Sequence, residues 1–168
     1  MNMPEYARTM SRYNRWMNEK LYAVCADLSD EARKQDRTAP FSSIHGTLNH
    51  LLLTDRMWLH RFEGTRFPIV ITSLAHELYS DFAELRRERA VTDQQIDDWA
   101  STLDAGDFEK QLTFTLTSSP QERTMPLAVC IVHLFNHQTH HRGQLTTLLE
   151  QCGCDFGITD LPMMPAQA

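Results

Sequence analysis

The sequence predicts an all-α protein, a four-helix bundle with a small β-hairpin inserted between its third and fourth helices. Two observations lead there. Apolar residues recur every three or four positions through four long segments, as amphipathic helices require. Between the last two of these, Leu112, Phe114 and Leu116 alternate with threonines, the period-two pattern of a strand. The 168 residues suffice for one domain with a real core, and no repeat or low-complexity tract divides residues 1–168.

In the first helix, Tyr6, Met10, Tyr13, Met17, Leu21, Val24 and Leu28 form one stripe, which stops around Ser29 and Asp30. A polar connection containing Pro40 follows. Ser42 or Ser43 is a good N-cap for the second helix, which runs to about Phe62, before Gly64. The third helix is expected from about Ser73, carrying Leu74, Leu78, Phe82 and Leu85. Thr92-Asp-Gln-Gln95 resembles a capping box, so a break near Val91 and a restart through Ile96, Trp99 and Leu103 are expected. Ser118 to Gln121 supplies turn residues, and Arg123 to Met125 reads as a short returning strand. Pro126, favoured in a first helical turn, opens the fourth helix, which ends near Cys152 and Gly153. The tail, with Pro162 and Pro165, is expected to be irregular.

The net charge of −6 leaves no footprint for phosphate neutralisation or polybasic docking, so neither nucleic acid nor an anionic membrane is expected as a partner. Arg86-Arg87-Glu88-Arg89, the densest basic run, reads as a solvated helix face. No stretch approaches the roughly 18–20 apolar residues of a membrane span. The N-terminus lacks a basic-then-apolar signal, and a cytoplasmic protein is expected. Cys25 and Cys130 sit in apolar helical contexts and read as small core residues. Cys152-Gly-Cys154 has the wrong spacing for a zinc knuckle.

The chemistry concentrates in His133-Leu-Phe-Asn-His137-Gln-Thr-His140-His141-Arg-Gly-Gln144, which holds four of the eight histidines. His137 and His141 are four apart, which stacks them on one helix face where two imidazoles can close on one metal ion. On a helical wheel His141 lies about 30° from the core centre and His137 about 70°, while His133 and His140 fall more than about 100° away. A third ligand is wanted. His45, His50, His60 and His76 are candidates, as are carboxylates. The second helix is apolar almost all round, and its periodicity favours Asp55, placing His50 on the far side beside Leu53 and Met57. Zinc-protease chemistry is disfavoured, because Gln138 stands where HExxH needs a glutamate base.

Three blocks, Tyr13-Asn-Arg-Trp-Met-Asn18, Ile44-His-Gly-Thr-Leu-Asn-His50 with Asp55-Arg-Met-Trp58, and Asn136-His137 through His141-Arg-Gly-Gln144, together resemble the DinB/YfiT-like family of damage-inducible metalloproteins. This is not the DNA polymerase that shares the name. The resemblance implies a four-helix bundle with a long crossover. It also implies a metal held by one histidine of the second helix and two of the fourth, here His50, His137 and His141. It overrules the preference for Asp55, which becomes a group orienting a histidine or pairing with Arg56 or Arg142. By the same resemblance, relatives use low-molecular-weight thiols such as bacillithiol or mycothiol as cofactors, and homodimers are common.

The leading expectation is a metal-dependent enzyme in which a divalent ion, zinc or nickel from the imidazole donors, activates a thiol or water toward a small electrophilic substrate, as an S-transferase or a hydrolase does. The alternatives are a non-catalytic metal or small-molecule binding stress-response protein, and a purely structural bundle. Tyr13, Trp16, Met57 and Trp58 read first as core and second as a substrate cleft. Gln138 and Gln144 flank the ligand pair and are equally fit to bond an imidazole or face solvent. Asn14, Asn18 and Asn136 are candidate helix-to-helix anchors, and Gly143 suggests close helix approach. The exposed parts of the first and second helices are the candidate dimer surface.

Overall fold

A computed structural model describes residues 1–117 and 119–166. It is mostly helical: α1 (Met3–Ala26), α2 (Asp30–Lys34), α3 (Ile44–Phe62), α4 (Phe82–Thr102) and α5 (Leu127–Gln151), with β1 (Gln111–Thr115) and β2 (Glu122–Pro126) between α4 and α5. None of these helices is long and apolar enough to cross a membrane.

Local chemistry explains the ends. Asn2 and Glu5 form a reciprocal capping box on α1. Ser43 caps α3, its hydroxyl accepting from the Gly46 amide at 3.0 Å. Within the connection after α1, Ser29 caps the extra short helix α2, which the periodicity did not separate from its surroundings. The strands pair antiparallel with Gln111 opposite Pro126 and Thr115 opposite Glu122. The hairpin thus lies where alternation placed it, although its expected turn includes Ser118, outside the described residues. Pro126 ends β2 and stands as N-cap of α5, one position before the first turn. A short 3-10 turn over Leu161–Met163 interrupts the tail.

Two expectations for the third helix are corrected. It begins at Phe82, not Ser73, with the Asp81 side chain accepting from the Glu84 amide at 2.7 Å. The chain before it is held out of the helix by tertiary bonds: the Asn49 side-chain oxygen accepts from the amides of Leu78 and Tyr79, and the Tyr79 carbonyl accepts from the Asn49 amide group and from His45 Nε2. Those backbone groups are therefore unavailable to a helical ladder. Nor does α4 break near Val91. Thr92 is buried within it, its hydroxyl donating to the Glu88 carbonyl and accepting from Arg56 Nε, so it caps nothing.

The core has two apolar clusters. One gathers Met17, Leu21, Leu48, Leu52, Leu145 and Leu149; the other gathers Trp58, Ile96, Ile131, Leu134 and Phe135. A polar layer separates them along α3, α4 and α5. Asp55 of α3 meets Arg89 of α4 at 2.7 Å, Arg89 meets Asp93 at 2.9 Å, and Asn14 and Asn18 of α1 donate to Asp93. Arg142 of α5 donates to Asn14, and Gln138 donates to Asp55. Two sequence expectations change here. Arg89 is only 2% exposed rather than part of a solvated face, because it lies one turn from Leu85 and Asp93 on the buried side of α4. Asp55 pairs with Arg89, not with Arg56 or Arg142, and makes no hydrogen bond to a histidine among the described residues. Arg56 instead bonds Glu88, Thr92 and Tyr79.

Candidate metal centre

His50 of α3 and His137 and His141 of α5 come together, each offering one ring nitrogen within 4.8 Å of the others. His50 is 2% exposed and His141 9%, while His137 is half-buried. His133 and His140 are exposed, in the order the wheel of the fourth helix ranked them. For α3 the wheel misplaced His50. Almost every residue of that helix is buried, because its far side is covered by two segments outside the helical pattern. Phe41 stacks on the His50 ring at 3.7 Å between centroids and meets His141 edge-on at 5.3 Å. The Leu74 carbonyl accepts a hydrogen bond from His50 Nδ1 at 2.9 Å. Gly46 admits Phe41 to this position, since a Cβ there would collide with the Phe41 carbonyl oxygen. Of the other candidate ligands, His45 bonds Tyr79, His60 bonds Thr65, and Asp55 is taken up by Arg89.

Tautomers follow from these partners. A carbonyl can only accept, so His50 Nδ1 carries the proton and Nε2 presents a lone pair. His141 Nδ1 faces the Gln144 side-chain oxygen at 2.8 Å, which likewise leaves its Nε2 as a lone pair. These two Nε2 atoms lie 3.2 Å from each other. Facing lone pairs repel unless a cation sits between them. Two nitrogens each 2.0–2.1 Å from a tetrahedral ion are about 3.3 Å apart, close to the separation here. His137 Nδ1 is buried without a hydrogen-bond partner among the described residues. The donor set therefore fits a divalent ion, and the three-histidine group could hold one.

The rings are kept neutral, as ligands must be. Burial pushes the His50 ring down to about 4, opposed by the bond to Leu74. Burial also lowers His137 to about 3, with further lowering from the neighbouring histidines, and lowers His141 against the bond to Gln144. In metal-free protein, the unfolded chain takes up protons near pH 6.5 that folded His50 and His137 refuse. Stability is then expected to fall as pH drops from about 6.5 toward 3, and these rings contribute no slope above about 6.5. Asp55, whose carboxyl burial raises to about 6, acts in the opposite sense. Urea titrations of wild type and His137→Ala across pH 4–8 separate the two, and parallel profiles would refute the His137 contribution.

Gln144 is the residue that holds His141 in register. Gln144→Ala is expected to weaken metal binding by roughly 10- to 100-fold, as loss of an outer partner of a ligating histidine does, measured by competition with a chromogenic chelator. Gln138 takes the other course: fully buried, it bonds Asp55 and the Leu51 carbonyl rather than an imidazole or solvent.

Beside His137 opens a cavity of about 450 Å³. Met57 and Trp58 line it, with His133 and His137, so two of the four residues weighed as cleft do face a cleft. Tyr13 and Trp16 pack elsewhere, Tyr13 donating to the Thr159 carbonyl at 2.6 Å. Asn14 and Asn18 anchor α1 to α4, whereas Asn136 is exposed. Gly143 meets no neighbour that a Cβ would touch, and nothing in the structure explains it.

Comparison with known proteins places the chain in a family. The chain is 26% identical over 161 residues to Protein DinB of Bacillus subtilis (strain 168), covering 94% of this chain and 92% of that protein. Its fold resembles the crystal structure of a DinB-like protein from Bacillus cereus ATCC 10987, with a TM-score of 0.60 at 21% identity over 84% of this chain and 89% of the other. A sequence model of the DinB family matches residues 1–168, and with that match running the full length of the chain, the protein belongs to the DinB family.

Proposed function

We propose that this protein is a metal-dependent enzyme in which His50, His137 and His141 bind a divalent ion, zinc or nickel, that activates a thiol or water toward a small electrophilic substrate. The observation that carries this reading is the pair of Nε2 lone pairs facing each other at 3.2 Å, with both Nδ1 atoms already committed to acceptors. Three neutral imidazoles would leave the charge of such an ion uncompensated, and the ion would supply acidification of a thiol or water toward neutral pH.

The protein's own residues do the rest. Leu74 and Gln144 hold two rings in one tautomer. Phe41 closes the His50 side against water. The cavity beside His137 supplies an apolar seat for substrate. In this reading the chain is a single domain whose four long helices form a bundle with a long crossover between α3 and α4. The co-substrate is a low-molecular-weight thiol. The homodimer surface comes mainly from α1, because α3 keeps little exposed face.

A second reading, a non-catalytic metal or small-molecule binding stress-response protein, draws on Phe41, whose stacking closes one approach to the site. Turnover separates the two. Metal-loaded protein is expected to conjugate monochlorobimane with at least one of several low-molecular-weight thiols, and to lose that activity in His141→Ala. Full metal loading without turnover on any thiol or hydrolysable electrophile would favour the binding protein.

A further inference from the structure

We infer that the cavity beside His137 is a binding site for a small organic anion with a flat apolar body, its carboxylate or similar group held by Arg61 and Arg123. This deepens the enzymatic reading and rests on it for the chemistry at the His137 end; binding itself does not require the ion.

The walls are apolar and aromatic. Met57, Trp58, Leu116, Phe114 and Val129 face the space, and its volume of about 450 Å³ falls in the range of small-molecule sites. The charge is the telling feature. The chain carries 22 acidic against 16 basic residues, yet among the described residues the cavity lining includes two arginines and no carboxylate. Glu122 faces the adjoining groove instead, where Arg66 also lies.

Arg61 is fixed in place. Its guanidinium lies 4.6 Å from the Trp58 ring centroid and 4.9 Å from that of Phe114, and its Nη2 donates to the Thr115 carbonyl and the Thr117 hydroxyl at 3.1 Å each. A planar cation held this way has lost its rotamer freedom before any ligand arrives, so less entropy opposes binding. Burial lowers its pKa, the mark of a cation partly withdrawn from water. Arg123, from β2, approaches from the hairpin side. Trp58 and Phe114 stand edge-to-face, 5.1 Å between centroids, and both line the cavity as an aromatic wall. A molecule anchored at Arg61 would extend along Met57 and Trp58 toward His133 and His137, both of which line the same space.

The test uses 1-naphthoate, neutral 1-naphthamide and cationic 1-naphthylmethylamine as probes, titrated calorimetrically into the protein as purified and into chelator-treated protein. The acid is expected to bind about tenfold tighter than the amide, the worth of one charge-assisted hydrogen bond, and the amine not measurably. Arg123→Gln and Arg61→Gln should each remove most of the preference for acid over amide while sparing amide binding. Arg61→Lys, which keeps the charge over the rings, should retain part of it and guards against mere loosening of the hairpin. Equal affinity for acid and amide, no binding of either at millimolar concentration, or a preference unchanged in both glutamine variants would overturn the inference. Arginine-dependent selectivity that survives chelation supports it even if metal analysis finds no ion, an outcome that would defeat only the enzymatic reading.

Discussion

Replacing His137 with alanine is expected to strip the protein of its divalent ion. Protein purified without a His-tag should carry about one ion per chain, and the variant roughly a tenth of that or less, because two imidazoles are left of the three a closed tripod needs. Elemental analysis reads this directly. Stability should follow. A ligand present at about 1,000 times its dissociation constant stabilises the folded state by about 4 kcal/mol, or roughly 8–16 °C in Tm for a domain of this size. A strong chelator should therefore lower the wild-type Tm by that order and leave His137→Ala unmoved. Equal metal in both proteins, or a wild-type Tm indifferent to chelator, would show that the three rings are hydrogen-bonded core residues and nothing more.

The second large effect is expected away from the metal centre. Asp55 and Arg89 are 0% and 2% exposed and 2.7 Å apart. Asp55→Ala leaves the Arg89 charge buried with Asp93 as its remaining carboxylate partner, and breaking one partner of a buried pair costs about 3–5 kcal/mol. At about 2–4 °C per kcal/mol, the Tm should drop by roughly 6–20 °C. The double replacement of Asp55→Leu with Arg89→Met should recover much of the loss, since apolar substitution of a whole buried pair is often neutral. Metal content at low temperature should stay near wild type in Asp55→Ala, because Asp55 bonds Arg89 and Gln138 rather than a histidine ring. A variant that loses its ion while remaining folded would return Asp55 to the candidate ligands.

The two effects test separate layers of the same pair of helices. On α3, His50 faces α5 and the segments that cover it, while Asp55 faces α4 and Gln138. The polar layer holds the helices in register between two apolar clusters, and the histidines lie to one side of it. Specificity of packing and the chemistry of the site are thus set by different residues of the same two helices.

Much of this was legible in one dimension. The stripe from Tyr6 to Leu28, the Ser43 cap, the alternating threonines of β1 and the i, i+4 spacing of His137 and His141 are local patterns, and local geometry alone turns them into helices, a strand and a shared face. The DinB-like blocks pointed to His50, which periodicity missed. A wheel compares one side of a helix with the other and has nothing to say about a helix buried on every side. What covers His50 comes from Phe41, nine residues earlier, and Leu74, 24 residues later. The start of α4 at Phe82, the burial of Arg89 and the convergence of Arg61 and Arg123 on one cavity were likewise settled by groups distant in the chain. Short-range hydrophobic spacing determines which segments become helices and strands, because each pattern is satisfied within its own turn or pleat. Which polar groups meet, and which loop backbone binds a ring nitrogen, depends on contacts between segments, and those exist only once the chain has closed on itself.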